Sequence, residues 1–313
     1  MLSRTADNLF WIARYMERAE NLARMLRVTD RLSLMPSMAD LEGNEWHSTV
    51  VVSGCEDEFY EKYDEATPEN VISYLAFDPE NPSSIRGCIE MARRNARAVR
   101  TGLTTEQWES LNSAWLALPG WNEARVRGSG LHRFLDWVKD CSLLFTGGTV
   151  ATMLRRDGYY FTRLGTFIER SDNTARILDV KYHVLLPDHA EIGGGIDYYQ
   201  WASILRAVSG YRSYNAVYRE GMKPWLIAEF LIMREEMPRS LLSCAAEIKD
   251  CLDKLGEAYG QRHECHRVAG QSHSRLRFGK VEDVFRQGLH EFLSEHIDQN
   301  NRLGEEINIS YLM

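Results

Sequence analysis

Six cysteines in 313 residues, none spaced as CxxC, leave neither a disulfide framework nor a zinc-ribbon pattern to read. Cys55, Cys88, Cys141, Cys244, Cys251 and Cys265 are scattered like the reduced, mostly buried thiols of a cytoplasmic protein, and cytoplasm is the expected location. No apolar run reaches the roughly 18 residues of a membrane-crossing helix, so no membrane partner is expected. Arg4, Asp7, Arg14 and Glu17 leave no apolar stretch for a signal-peptide core. A net charge of −8 argues against a nucleic-acid binder, which carries a basic face. Lysine is scarce: of 37 basic residues 7 are lysine and 30 arginine. Arginine grips carboxylates with a planar two-pronged fork, so the bias suits internal ion pairing.

Catalytic signatures are missing as well. There is no GxxxxGK[ST] phosphate loop, no GxSxG elbow and no Glu-x-x-His pair for a carboxylate-bridged metal site. His263, Cys265, His266 and His273 come nearest to a metal cluster, but their spacing fits no standard zinc site. No metal and no cofactor is expected, and the enzyme question leans towards no.

What is present is helical periodicity. The expected fold is all-α, a single large helical bundle over residues 1–313. The first helix should span Ser3–Ser33, stopping before Pro36. The β-branched run near Val50 should be helix rather than strand. Thr67 and Pro68 start a short helix, Ser83 or Ser84 one that reaches Thr101, and Thr104 or Thr105 one closed by Pro119-Gly120. Further helices are expected at Gly128–Arg155, up to Leu186, and at Tyr198–Arg219, Pro224–Met233, Arg239–Leu255, Arg262–Phe278 and Val281–Asn301. Gly147-Gly148 marks a close helix contact or a bend, residues 192–196 a flexible connector, and Gly270 to Ser274 a loop or helix end. The apolar tail from Ile307 to Met313 either packs back or meets a partner.

One stretch returns. Residues 9–28, LFWIARYMERAENLARMLRV, align without a gap to residues 161–180, FTRLGTFIERSDNTARILDV, at an offset of 152. Glu17, Arg18, Asn21 and Arg24 fall on Glu169, Arg170, Asn173 and Arg176, with Glu20 against Asp172. At about 100° per residue, Glu17, Asn21 and Arg24 share one helix stripe, hemmed in by apolar residues. Both helices are therefore expected at the centre of the bundle, their polar groups partnered inside the protein. Two roles stay open. The set is a buried network that fixes helix register, or the two copies line a polar pocket for an enzyme or a small-ligand binder. In the second case Glu17 and Glu169 become an acid/base pair if the pocket splits their pKa values. Arg93, Arg97 and Arg100 stack on one helix face, and Arg97 either joins this polar centre or belongs to an ordinary arginine-rich surface.

These segments carry a family likeness. LFWIARYMERAENLARML and YYFTRLGTFIERSDNTARILDVKYHVLLP resemble the bacterial alpha-E family, an all-helical domain named for its Glu-Arg motif. ARRNARAVRTGLTTEQWESLN, SILRAVSGYRSYN and AEFLIMREEMPRSL resemble its later blocks, the last departing slightly before Pro238-Arg239-Ser240. The resemblance implies that Glu17-Arg18 and Glu169-Arg170 are the named motif positions, with no catalytic role attached. It further implies a setting beside circularly permuted ATP-grasp amide ligases, with transglutaminase-like proteins and proteasome-like peptidases nearby. The expected function is then an accessory or partner subunit in ATP-dependent peptide synthesis or modification, binding the ligase or its peptide.

Overall fold

The first thirty residues after the start contain neither glycine nor proline and are rich in leucine, alanine, methionine and arginine, all strong helix formers. They form one continuous helix, α1 (Ser3–Ser33). The structure, a computed structural model, describes residues 1–34, 45–126, 128, 130–184 and 195–312. Among the described residues there are sixteen α-helices and no strand. After α1 come α2 (Glu45–Ser53), α3 (Glu56–Tyr60), α4 (Pro68–Ile72), α5 (Ile85–Ala98), α6 (Thr105–Ala117), α7 (Glu123–Val126) and α8 (Gly130–Thr152). The second half holds α9 (Asp157–Val184), α10 (Gly195–Ala207), α11 (Tyr211–Val217), α12 (Pro224–Ile232), α13 (Leu241–Tyr259), α14 (Glu264–Phe278), α15 (Val281–Gln287) and α16 (Leu289–Ile307).

Side chains of the expected kind start the helices. The Thr67 hydroxyl accepts from the Asn70 amide with Pro68 in the first turn, and Ser84 accepts from the Gly87 amide. Thr104 and Gln107 form a reciprocal capping box, and Ser240 accepts from the Ser243 amide. Each such cap is worth about 1 kcal/mol.

Several boundaries differ from the sequence reading. The expected helix Tyr198–Arg219 is two helices, α10 and α11, parted at Ser209, whose φ of 56° no continuing helix allows. The expected helix Val281–Asn301 is likewise split at Gly288, with φ 104°. Gly270 to Ser274 lies inside α14 rather than in a loop, because apolar Val268, Ala269 and Leu276 keep that helix docked through the polar stretch. A Cβ at Gly148 would stand 3.3 Å from the Glu106 Cβ, so α8 and α6 make a close contact there. The tail packs back, with Leu312 buried beside Phe161 and Ile307. Pro36, Pro187 and residues 192–194 of the expected connector lie outside the described residues, while Gly195 and Ile196 already belong to α10.

Among the described residues three apolar clusters make up the core, and α1 feeds all of them: Ile12 and Leu26 in the first, Met25 in the second, Phe10 in the third. Helix α9 supplies Ala175 and Leu178 to the second and Phe161 and Leu164 to the third. The two helices pack directly on one another, and their contacts climb together along both. Leu9 meets Gly158, Phe10 meets Gly165, and Arg18 meets Glu169. At Gly165 the approach is so close that a Cβ would stand 2.1 Å from the Phe10 carbonyl oxygen. Only glycine lets the backbones come this near.

Candidate functional site

Where α1 and α9 touch, the two Glu-Arg pairs exchange partners. Arg170 donates through Nε and Nη2 to the two oxygens of Glu17, at 3.0 and 2.9 Å. Arg18 donates through Nε and Nη2 to the two oxygens of Glu169, at 2.6 and 3.1 Å. Each glutamate is thus held by a two-pronged guanidinium from the other helix, the strongest geometry open to an Arg–carboxylate pair. Glu17 is 2% exposed and Glu169 5%. The aromatic face of Phe167 walls the Arg170 guanidinium at 5.2 Å, and Trp11 walls Arg14 at 4.8 Å.

Each glutamate has a second guanidinium. Arg14 Nε lies 2.8 Å from Glu169 Oε2. Arg239, just ahead of α13, donates to Glu17 Oε1 at 2.8 Å, to Asn21 Oδ1 at 3.3 Å and to Glu20 Oε1 at 2.6 Å. Glu20 also accepts from Arg24 Nε at 2.8 Å and from the Ser142 hydroxyl at 2.6 Å. On α9, Arg176 Nε bonds Asp172 Oδ2 at 2.7 Å.

Charge follows geometry. Burial alone would push the Glu17 carboxyl up, but Arg170 and Arg239 outweigh it and hold the group at about 2. Glu169 feels the same opposition of burial against Arg18 and Arg14, and also comes to about 2. Neither carboxyl can carry a proton at neutral pH, and neither guanidinium across from them gives one up. Two glutamates held alike do not have the split pKa values that an acid/base pair needs.

Of the residues singled out in the sequence, Glu17, Arg18, Glu169 and Arg170 meet in one cluster, with Asn21 and Arg24 joined to it through Arg239 and Glu20. Asn173 and Arg176 line the cleft beside it. Arg97 does not belong: it is exposed on α5, while its neighbour Arg93 bonds Asn112 and lies over Trp108 and Trp115. The reason is periodicity, since Ile85, Cys88, Ile89, Ala92 and Ala96 are the residues that turn to the core. Arg239 and Arg14 are the participants that sequence reasoning missed. Arg14 has threonine, Thr166, at the matching place of the second segment, so alignment hides it. The available signal for Arg239 was an arginine wedged between Pro238 and a helix-capping serine, followed by Leu241-Leu242.

The cleft beside the cluster has a volume of about 200 Å³ and is lined by Arg18, Asn21, Ser53, Cys55, Ser83, Asp172, Asn173 and Arg176 among others. Two buried polar atoms of its lining residues have no hydrogen-bond partner, Asn21 Nδ2 and Asp172 Oδ1. Asn21 is 3% exposed; Arg239 can only donate to it, so the amide oxygen faces Arg239 and the NH₂ group faces away. Gly54, with φ 72°, closes one side, and a Cβ there would stand 3.0 Å from Arg176 Nη1. Burial pushes the Cys55 thiol up, so it is not a ready thiolate. The histidines near Cys265 are engaged in structure: His266 bonds the Leu252 carbonyl at 2.9 Å and the His263 amide at 3.0 Å. Among the described residues no three histidine, cysteine or acidic side chains gather as a metal would require, and no helix is long and apolar enough to cross a membrane.

Comparison with known proteins points one way. The family named Alpha-E, described as a predicted alpha-helical domain with a conserved ER motif, matches residues 1–312. The chain is 24% identical over 317 aligned positions to uncharacterized proteins of Mycobacterium bovis and Mycobacterium tuberculosis. The alignment takes in 93% of this chain and 34% of theirs, so the chain spans about a third of the length of these relatives. No solved structure matches at a significant level.

Proposed function

The chain belongs to the Alpha-E family, and from that premise we propose that it is a helical accessory subunit of an ATP-grasp amide-ligase system that builds or modifies peptides. Its part is to bind the ligase or the ligase's peptide rather than to make or break a bond. The observation that carries this reading is the locked charge state of the Glu-Arg cluster. Both glutamates are fixed anions under two guanidiniums each, and a carboxylate with a pKa near 2 is a poor base and no acid near neutral pH. What such a cluster does well is hold two long helices in one register and so present a rigid surface. In the mycobacterial relatives the similar region is about a third of a longer chain, as befits a module that works beside another. A transglutaminase-like protein or a proteasome-like peptidase would act in the same setting.

The test is co-expression with a circularly permuted ATP-grasp ligase from the same genome. A stoichiometric complex and an altered ligase turnover are expected. A lone chain with no effect on turnover overturns the proposal.

A second reading rests on one observation, a 200 Å³ cleft two of whose lining residues, Asn21 and Asp172, each carry a buried polar atom without a hydrogen-bond partner. A donor from Asn21 and an acceptor from Asp172 suit a small zwitterion with a carboxylate and an ammonium, such as an amino acid. Calorimetric titration of the isolated chain with a panel of amino acids tests it; an Asp172→Asn variant that binds as well as the parent chain counts against it.

A further inference from the structure

Further along α1 from the cleft beside the Glu-Arg cluster, an acidic protein concentrates its cations. A cavity of about 360 Å³ is lined by Arg24, Arg27, Arg31, Lys139, Arg206 and Arg212, together with Ser209 and Tyr211. Among the described residues the carboxylates that pair with this set are Glu20, bound to Arg24, and Asp136, bound to Arg27 and Lys139. Arg31, Arg206 and Arg212 have no carboxylate within ion-pairing distance among the described residues, and all three are exposed. Like charges gathered in this way repel one another, and a chain of net charge −8 has acidic residues to spare for neutralising them.

The wall that carries Arg206 and Arg212 is fixed. Between them lies the break from α10 to α11, where Ser209 takes φ 56°, a left-handed conformation uncommon outside glycine, asparagine and aspartate. Arg24 holds that turn in place, donating through Nη1 to the Ala207 carbonyl at 3.0 Å and to the Ser209 hydroxyl at 2.7 Å. The Arg206 guanidinium lies 4.6 Å from the Tyr211 ring centre, stacked rather than free to swing. Strain that the surroundings hold in place is a sign of a site.

We propose that this cleft binds a compact oxyanion carrying two phosphate groups. Three unpaired guanidiniums match the charge of a diphosphate, and their planar forks match phosphate oxygens two at a time. The Ser209 and Tyr211 hydroxyls stand in the same lining to donate further. This site is separate from the accessory role proposed above, since it needs only the isolated chain, and either can fail without the other.

The experiment is calorimetric titration of the full chain with inorganic pyrophosphate, orthophosphate, ADP and citrate, at low and at physiological salt. The expected result is one-to-one binding of pyrophosphate, weaker for orthophosphate and for citrate, and weakened by salt. Arg206→Ala and Arg212→Ala should each lower the affinity about tenfold, the loss of one charge-assisted hydrogen bond. Both side chains are exposed, so the variants keep the fold. Arg302→Ala, on α16, should bind like the parent. ADP binding more tightly than pyrophosphate marks a nucleotide as the source of the diphosphate, and the reverse marks a free anion; both support the site. No binding of pyrophosphate, equal binding of citrate, or undiminished affinity in both arginine variants overturns it.

Discussion

Arg239 reaches Glu17 across 222 positions of chain, its Nη1 2.8 Å from Oε1. This contact ties α13 to the pair of helices at the centre, and Arg170 grips the same carboxylate from α9. Removing the charge strands the Arg170 guanidinium in a buried place and leaves Arg239 with Glu20 alone. Glu17→Gln should therefore cost about 3–5 kcal/mol, the usual penalty for breaking a buried pair on one side. Urea unfolding monitored by circular dichroism measures it, and a loss below about 1 kcal/mol would show that water reaches the cluster.

Acid should act in two windows. Glu17 and Glu169 ordinarily titrate at 4.5 and are held at about 2 in the fold. The native state keeps their charge longer than the unfolded chain does, so their contribution is complete above 4.5 and fades as pH falls from there towards 2. His296 is buried and hydrogen-bonded to the Ser171 hydroxyl at 2.9 Å; burial, then Arg275, lowers it from 6.5 to about 4. The fold favours its neutral form, so its contribution is complete above 6.5 and fades as pH falls from 6.5 towards 4. Unfolding midpoints taken at steps of pH should fall in both windows, and His296→Gln should flatten the upper one alone.

The close approach at Gly165 has its own test. Gly165→Ala puts a methyl group 2.1 Å from the Phe10 carbonyl oxygen, a backbone atom that cannot swing aside. The helices must separate, at a cost at or above the ~1–3 kcal/mol typical of overpacking. A thermal midpoint unchanged from the parent would mean that α1 and α9 are not packed this tightly.

How much of this was legible in the sequence depends on the kind of signal. The all-helical fold was plain, because capping residues such as Thr67, Ser84 and Thr104 stand at the heads of strongly periodic runs. Breaks at Ser209 and Gly288 were not, since the apolar spacing of three and four runs straight across both. At the centre, spacing alone singled out Glu17-Arg18 and Glu169-Arg170, because two polar dipeptides in matching apolar frames are hard to explain on a surface. It could not supply Arg239, whose partners lie more than two hundred residues away. It also left Arg97 open between the polar centre and an ordinary surface, because neighbouring arginines look alike in one dimension and differ only in which side of α5 turns inward.

Thiol chemistry separates the buried interior from the cleft. Burial holds the Cys88, Cys141, Cys244 and Cys251 thiols up at about 12, and Cys265 is raised as well. Cys55 alone of the six is partly exposed. Brief alkylation of the native protein at neutral pH should add at most one adduct by intact mass, at Cys55. Several adducts would show that the core opens readily.

The most direct measurement is a double-mutant cycle on Arg18 and Glu169, using Arg18→Gln, Glu169→Gln and the two together, with unfolding free energies from urea titration. A reciprocal buried clamp predicts a coupling of about 1.5–3 kcal/mol, Glu169→Gln stranding the Arg18 guanidinium and Arg18→Gln leaving Glu169 with Arg14 as its remaining counter-ion. Effects that simply add, within about 0.5 kcal/mol, would contradict it.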